Sequence, residues 1–218
     1  MNPDFAIVLN FKLTNAEKAN ADLLVKTARD IGARAVATDG AQEAFQAACT
    51  KYTIALVNEG LGQSYTSDNV IDAMIKQREA GKTTVINLTV AENGELTDES
   101  KKLLTPINDW MHMFGHAFNE SEPCAISADG DSFVLQNRHM HYQKYVFVKQ
   151  PLPTKITITG LTHEPNRVEW IEKRIDLKFT YEDNTLVIDL AEPVEEFPWQ
   201  VLRIQEHRPE DDILETKF

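Results

Sequence analysis

Hydrophobic and polar positions along the chain follow two successive regimes. Up to about residue 118, apolar runs alternate with segments of helical period. Residues 5–11 (FAIVLNF) are nearly continuously apolar, as expected of a strand covered on both faces. A helix over 16–31 follows, with Ala21, Leu24, Val25 and Ala28 on one face, Thr14 or Asn15 as its cap and Gly32 as its stop. The pattern repeats as strand 33–38, helix 41–49, strand 53–57, helix 68–80 behind a Ser67 cap and before Gly81, and strand 82–90. A long helix from Thr97-Asp98-Glu99-Ser100 to about Phe118 carries its carboxylates where they suit a helix N-terminus. Four such βα units predict parallel strands joined by right-handed crossovers.

The second regime begins near Pro123. Short alternating runs, such as Lys155-Ile156-Thr157-Ile158-Thr159, are separated by turn signals at 128–131, 151–153, 164–166 and 182–184. Strands are expected over 133–136, 142–149, 155–159, 167–171, 177–181, 186–190 and 199–204. The expectation is a two-domain α/β plus all-β protein: a truncated (β/α) parallel-sheet domain over 1–121, then an antiparallel β-sandwich over 122–218. The acidic tail after Pro209 reads as exposed.

Composition narrows the function classes. A net charge of −12, with basic residues scattered, argues against nucleic acid and against an anionic membrane surface. No run approaches the ~20 apolar residues of a membrane span. The N-terminus lacks the basic start and apolar core of a signal peptide, so the cytoplasm is the expected compartment. Cys49 and Cys124 lie in different elements and read as free thiols. No cofactor and no metal are expected.

Specific stretches resemble the α-L-fucosidases of glycoside hydrolase family 29. Tyr65-Thr66-Ser67 is similar to that family's Y-x-S before its penultimate barrel helix. Residues 80–88 (AGKTTVINL) resemble K-G-G-N-x-L-L-N-x-G-P, keeping Gly81 and Asn87, and Asn93-Gly94-Glu95-Leu96 resembles D-G-x-I-P. In the second half, residues 156–161, 168–171, 177–179, 185–190 and 198–204 follow the rhythm of the family's C-terminal sandwich. Residues 25–36 (VKTARDIGARAV) are similar to V-K-L-A-K-D-A-G-A-K-Y-V.

The resemblance implies a barrel-and-sandwich scaffold, but the family's chemistry is missing where its motifs should be. Asn10 stands where a sugar-binding His is expected, in FAIVLNF. Ala37-Thr38-Asp39-Gly40 keeps only the Asp-Gly of H-H-D-G-F. No Trp precedes Trp110, so W-F-D-G, which carries the nucleophile, does not occur as written. A rival alignment places Ala37-Thr38-Asp39-Gly40 on that nucleophile motif. About half of the eight barrel strands are accounted for, which implies that the middle units are deleted. An edge left open in this way could be covered by a second copy.

Functional residues of parallel α/β folds gather beyond the C-terminal ends of strands. Those positions hold Asn10, Lys12, Asp39, Asn58, Glu59, Glu92 and Asn93. Asp39 and Glu59 are the candidate catalytic pair; Asn10, Lys12, Asn58 and Glu92 are candidates for substrate binding. Retaining glycosidases need carboxyls ~5–5.5 Å apart and inverting ones ~6.5–9.5 Å. Neighbouring second and third strands would suit the first, and a strand between them would not. Asp39-Gly40 and Glu59-Gly60 read equally as turn and cap pairs.

Other chemistry is weaker. His139 and His141 would share one side of a strand but show no third ligand. His112 and His116 are spaced i, i+4 without the Glu of a metalloprotease helix. Trp110, Trp170 and Trp199 read as core residues rather than sugar platforms. Three readings follow: a catalytically degenerate, carbohydrate-associated binding or interaction protein; an active retaining glycosidase using Asp39 and Glu59; and a structural domain pair without a small-molecule ligand.

Overall fold

The computed structural model describes residues 5–58 and 62–206. It divides into two compact units, 1–119 and 120–218.

The first unit is a parallel sheet with helices. Its strands are β1 (Ile7–Leu13), β2 (Ala35–Thr38), β3 (Ala55–Leu56) and β4 (Thr84–Val90), and its helices are α1 (Ala21–Ile31), α2 (Gln42–Tyr52), α3 (Val70–Glu79) and α4 (Asp98–Asn119). The spatial order is β3-β2-β1-β4, all parallel. Gln63 adds a parallel bridge to Ile86, on the outer side of β4. Every step, from Gln63 to β4 and from β1 through β2 to β3, runs in the same direction across the sheet. Right-handed crossovers therefore place the connecting helices on one face, as in a barrel; a doubly wound sheet reverses direction.

The last strand lies against the first, which is how an eight-stranded barrel closes. On that circle β1, β2 and β3 occupy the first three places, Gln63 the seventh and β4 the eighth. The missing places fall between Leu56 and Gln63. Residues 57–62 are too few for even one further parallel crossover, which takes about a dozen residues.

Alternation along β1 separates the two faces. Ile7, Leu9 and Phe11 point toward the helices, and the Phe11 ring lies 5.6 Å from that of Phe45 in α2. Val8, Asn10 and Lys12 point the other way, into what would be the barrel interior. There Val8, Ala35, Ala37 and Val85 form a small buried cluster, with Phe5, Ala55 and Val57 packed against it. α4 packs beside both α1 and α3. Arg78 of α3, only 2% exposed, donates to the carbonyls of Phe118 and Asn119 at the C-terminus of α4.

Two helix starts differ from the sequence expectation. Asn15 caps only a single 3₁₀ turn, Ala16–Lys18, and α1 begins afresh at Ala21, where the Asn20 side chain accepts from Leu23 N–H. Ser67 does not cap α3. Asn69 folds back to accept from Thr66 N–H, and the helix starts one residue later at Val70.

The second unit is an antiparallel sandwich. One sheet holds β5 (Ser121–Pro123), β7 (Phe133–Asn137), β8 (Gln143–Lys149), β10 (Arg167–Trp170) and β13 (Trp199–Gln205), in the order β10-β13-β8-β7-β5. The other holds β6 (Ser127–Ala128), β9 (Lys155–Thr159), β11 (Lys178–Glu182) and β12 (Thr185–Asp189), in the order β11-β12-β9-β6. Val134, Val146, Val168, Trp170, Leu202 and Ile204 of the first sheet close over Ile156, Ile158, Leu186 and Ile188 of the second. β5 and β6 are strands that the sequence pattern did not predict.

His139 and His141 lie in the β7–β8 turn rather than on a strand. Asn137 accepts from both His139 N–H and Met140 N–H and so turns the chain there. Each histidine faces a carboxylate, His139 with Glu120 at 3.3 Å and His141 with Glu122 at 3.9 Å. His112 and His116 are exposed on α4. Trp170 is fully buried, with its indole N–H on the Ala191 carbonyl, and Trp199 is 2% exposed. Neither ring presents a face to a sugar. Both cysteines are free, and burial pushes the Cys49 thiol up to about 11.

Candidate functional site

The C-terminal rim of the parallel sheet gathers most of the sequence candidates, but over β1 and β2 it commits them to the protein itself. Asn10 is 1% exposed, and its amide donates to the Asn87 side-chain oxygen at 2.8 Å. The two residues are register partners on β1 and β4. Asn87 in turn donates to the Gly62 carbonyl at 2.7 Å. This chain leaves the Asn10 amide oriented by a neighbour rather than by a ligand. A Cβ at Gly62 would come within 2.1 Å of Asn87 Oδ1, so any larger residue there would have to push the Asn87 amide aside.

Asp39 follows β2. One carboxylate oxygen accepts from Leu13 N–H at 2.9 Å, and the other lies 3.9 Å from Lys12 Nζ. Both side chains are more than a third exposed, so the ion pair adds at most about 1 kcal/mol. The backbone bond does more, because it ties the end of β1 to the loop after β2.

Asn58 is exposed beyond β3, and Glu59 lies outside the described residues. Glu92, exposed beyond β4, receives a long contact of 3.5 Å from Asn15. Asn93 accepts from Glu95 N–H and shapes the turn. Lys12 and Asp39 thus lie together at the β1–β2 rim, whereas Asn10 sits in the middle of β1 and turns toward β4. Glu92 belongs to a separate loop after β4, two strand spacings of ~4.8 Å from the loop that carries Asp39.

The rim beyond β4 is different. A cavity of about 330 Å³ opens there, between the segment 64–67 and the first turn of α4, with Asn87 and Thr89 on its floor. Ser100 fastens this wall, accepting from Thr89 N–H and donating to the Thr89 carbonyl. Tyr65 lies partly buried along the cavity, which raises its phenol above its ordinary value, and its hydroxyl donates to Gln63. None of the cavity residues stood among the candidate site residues, although Tyr65-Thr66-Ser67 and Asn87 belong to the stretches that resemble the family. The cavity hydroxyls are scattered over three segments that only the parallel pairing brings together.

No protein-family model and no curated protein sequence matches the chain. Solved structures do. An α-L-fucosidase from Bacteroides thetaiotaomicron superposes with a TM-score of 0.56 at 17% identity, over 65% of this chain and 32% of that one. The Thermotoga maritima α-fucosidase in complex with a mechanism-based inhibitor gives 0.52 at 13% identity, over 85% of this chain and 56% of that one. The same Thermotoga enzyme solved with fucose gives 0.52 over 84% of this chain. The chain therefore spans about a third to a little over half of the length of these enzymes. It has the α-L-fucosidase fold in shortened form, a partial parallel barrel followed by a β-sandwich.

Proposed function

We propose that this chain is a fucosidase-fold protein without fucosidase turnover, serving as a carbohydrate-associated binding or interaction protein. One observation carries the reading. Asn10, at the position where the resemblance puts a sugar-binding His, is locked into the Asn10–Asn87–Gly62 hydrogen-bond chain. Asp39, the described member of the candidate catalytic pair, is likewise held by Leu13 N–H and Lys12. The net charge of −12 suits a neutral ligand better than an anionic one. The test is twofold: an aryl α-L-fucoside should not be hydrolysed above background, and a glycan panel should raise the melting temperature. A panel in which no glycan stabilises the protein would favour a structural domain pair instead.

A second reading has one observation in its favour. β2 and β3 are adjacent, so the loops carrying Asp39 and Glu59 leave neighbouring strands ~4.8 Å apart, a spacing compatible with retaining chemistry. In that case Asp39→Asn removes all turnover while the fold stays intact. Self-association through the β3 edge of the sheet belongs to the first reading, and light scattering at micromolar concentration tests it: a monomer rejects it.

A further inference from the structure

Two of the cavities of ligand size beside the parallel sheet are set apart by their hydroxyl groups. One, about 490 Å³, lies between α1 and α4. Its Thr27 and Thr105 hydroxyls already donate to the carbonyls of Leu23 and Lys101 one turn back, and its charged side chains are paired, Asp30 with Lys26 and Lys101 with Glu95 and Asp98. The smaller cavity, beyond β4, is the reverse. Ser100 is engaged with the strand, but among the described residues the hydroxyls of Ser64, Thr66 and Thr89 enter no hydrogen bond with a side chain or carbonyl.

From this contrast we infer that the cavity beyond β4 is a binding site for a neutral, monosaccharide-sized polyol, contacted by Ser64, Tyr65, Thr66 and Thr89. The inference rests on the carbohydrate-associated reading above and gives it a place. The volume of about 330 Å³ is at the small end of ligand pockets, which run ~300–1,000 Å³. Hydroxyls both donate and accept, as a ring of sugar hydroxyls requires. Tyr65 and Leu103 supply apolar surface for the C–H face of a pyranose, and the Tyr65 ring is braced by its bond to Gln63. Glu99 and Lys102 line the same cavity with opposite charges, so neither a cation nor an anion is favoured by net field. The site lies off the β1–β2 rim, where Asn10 and Asp39 are engaged.

The test uses the full chain with free L-fucose, D-galactose and D-glucose as probes at millimolar concentration, read by saturation-transfer NMR and by titration calorimetry. Thr89→Val and Tyr65→Ala should each weaken binding of the best probe by about tenfold, the loss of one ligand hydrogen bond or contact. Asp39→Asn should leave it within about twofold. Thr89→Val replaces an exposed hydroxyl with a methyl of similar shape, and an unchanged melting temperature checks its fold. Binding that persists in both variants and disappears in Asp39→Asn overturns this site but leaves the carbohydrate reading standing. Binding of none of the three sugars overturns this site, and a negative glycan panel would then remove the carbohydrate reading as well.

Discussion

The two ends of one sheet rim have been put to different uses. Over β1 and β2, polar side chains are anchored to other parts of the chain: Asn10 to Asn87, and Asp39 to the backbone at Leu13. Over β4, the equivalent positions leave hydroxyls around an open cavity. The same parallel scaffold positions both sets, so the difference lies in the side chains and in what crosses them. Val57 and Gly62 rest on the inner face below the first set, one against the Val8 cluster and the other over Asn87. In this shortened parallel sheet the described polar groups over β1 and β2 are bonded within the chain, and the site proposed for recognition lies beyond β4.

Several substitutions probe that contrast, and the largest effect is expected where the loops after β1 and β4 meet. Gly94 adopts φ +84°, and a Cβ there would lie 1.8 Å from the Lys18 carbonyl oxygen, a backbone atom that cannot move aside. Gly94→Ala should cost about 3 kcal/mol in chemical denaturation. A loss below about 1 kcal/mol would mean that the two loops are not clamped together.

Asn10→Ala comes next, at about 1.5 kcal/mol, because it opens a gap at a buried position and removes the donor to the half-buried Asn87 oxygen. A double-mutant cycle with Asn87→Ala should show coupling of about 1 kcal/mol. Additivity would indicate that the two amides act independently, and the β1 end of the rim would then be open to a ligand. Asp39→Asn keeps the shape and weakens only the charged part of its bond to Leu13 N–H, so a stability loss of about 1 kcal/mol or less is expected. Thr89→Val should change stability by less than about 0.5 kcal/mol, since the hydroxyl is exposed and only the backbone of Thr89 is engaged.

The smallest effect is a pH dependence confined to the β4 end. Burial raises the Tyr65 phenol above its ordinary value, so the folded protein holds the proton more tightly than the unfolded chain does. The associated stability is complete below the ordinary tyrosine range and falls away as pH rises through the higher folded value. Binding of a sugar beside Tyr65 should therefore stay flat from neutral pH to about 10 and decline only above it. A decline near neutrality would point to a different group in the site.

Much of the scaffold was legible in the sequence, and for physical reasons. FAIVLNF reads as a strand buried on both faces because its two faces meet helices on one side and the Val8 cluster on the other. Gly32 ends α1 with φ +93°, a conformation that its lack of a Cβ makes available. Short edge elements were not legible. β5 and β6 hold three and two residues, and their partners, not their own composition, make them strands. The restart of α1 at Asn20 was also hidden, since Asn15 and Asn20 are equally good caps and only the contact of Asn20 N–H with the Gly94 carbonyl favours the second.

The rim was half legible. Asp39 could be placed after a strand from periodicity alone, whereas Asn10, expected near the end of a strand over 5–11, lies in the middle of β1 (Ile7–Leu13). Their partners could not be placed, because Asn10 and Asn87 are 77 positions apart and meet only when the last strand pairs with the first. The cavity beyond β4 escaped for the same reason: Ser64 and Thr89 carry no motif, Tyr65-Thr66-Ser67 read only as scaffold, and these segments converge only through the parallel bridge at Gln63.

The decisive assay is hydrolysis of an aryl α-L-fucoside by the full chain and by Asp39→Asn, with melting curves confirming that both are folded. The account predicts the same background rate for both proteins. Turnover by the unmodified chain that vanishes in a folded Asp39→Asn variant would contradict it and restore Asp39 to catalysis.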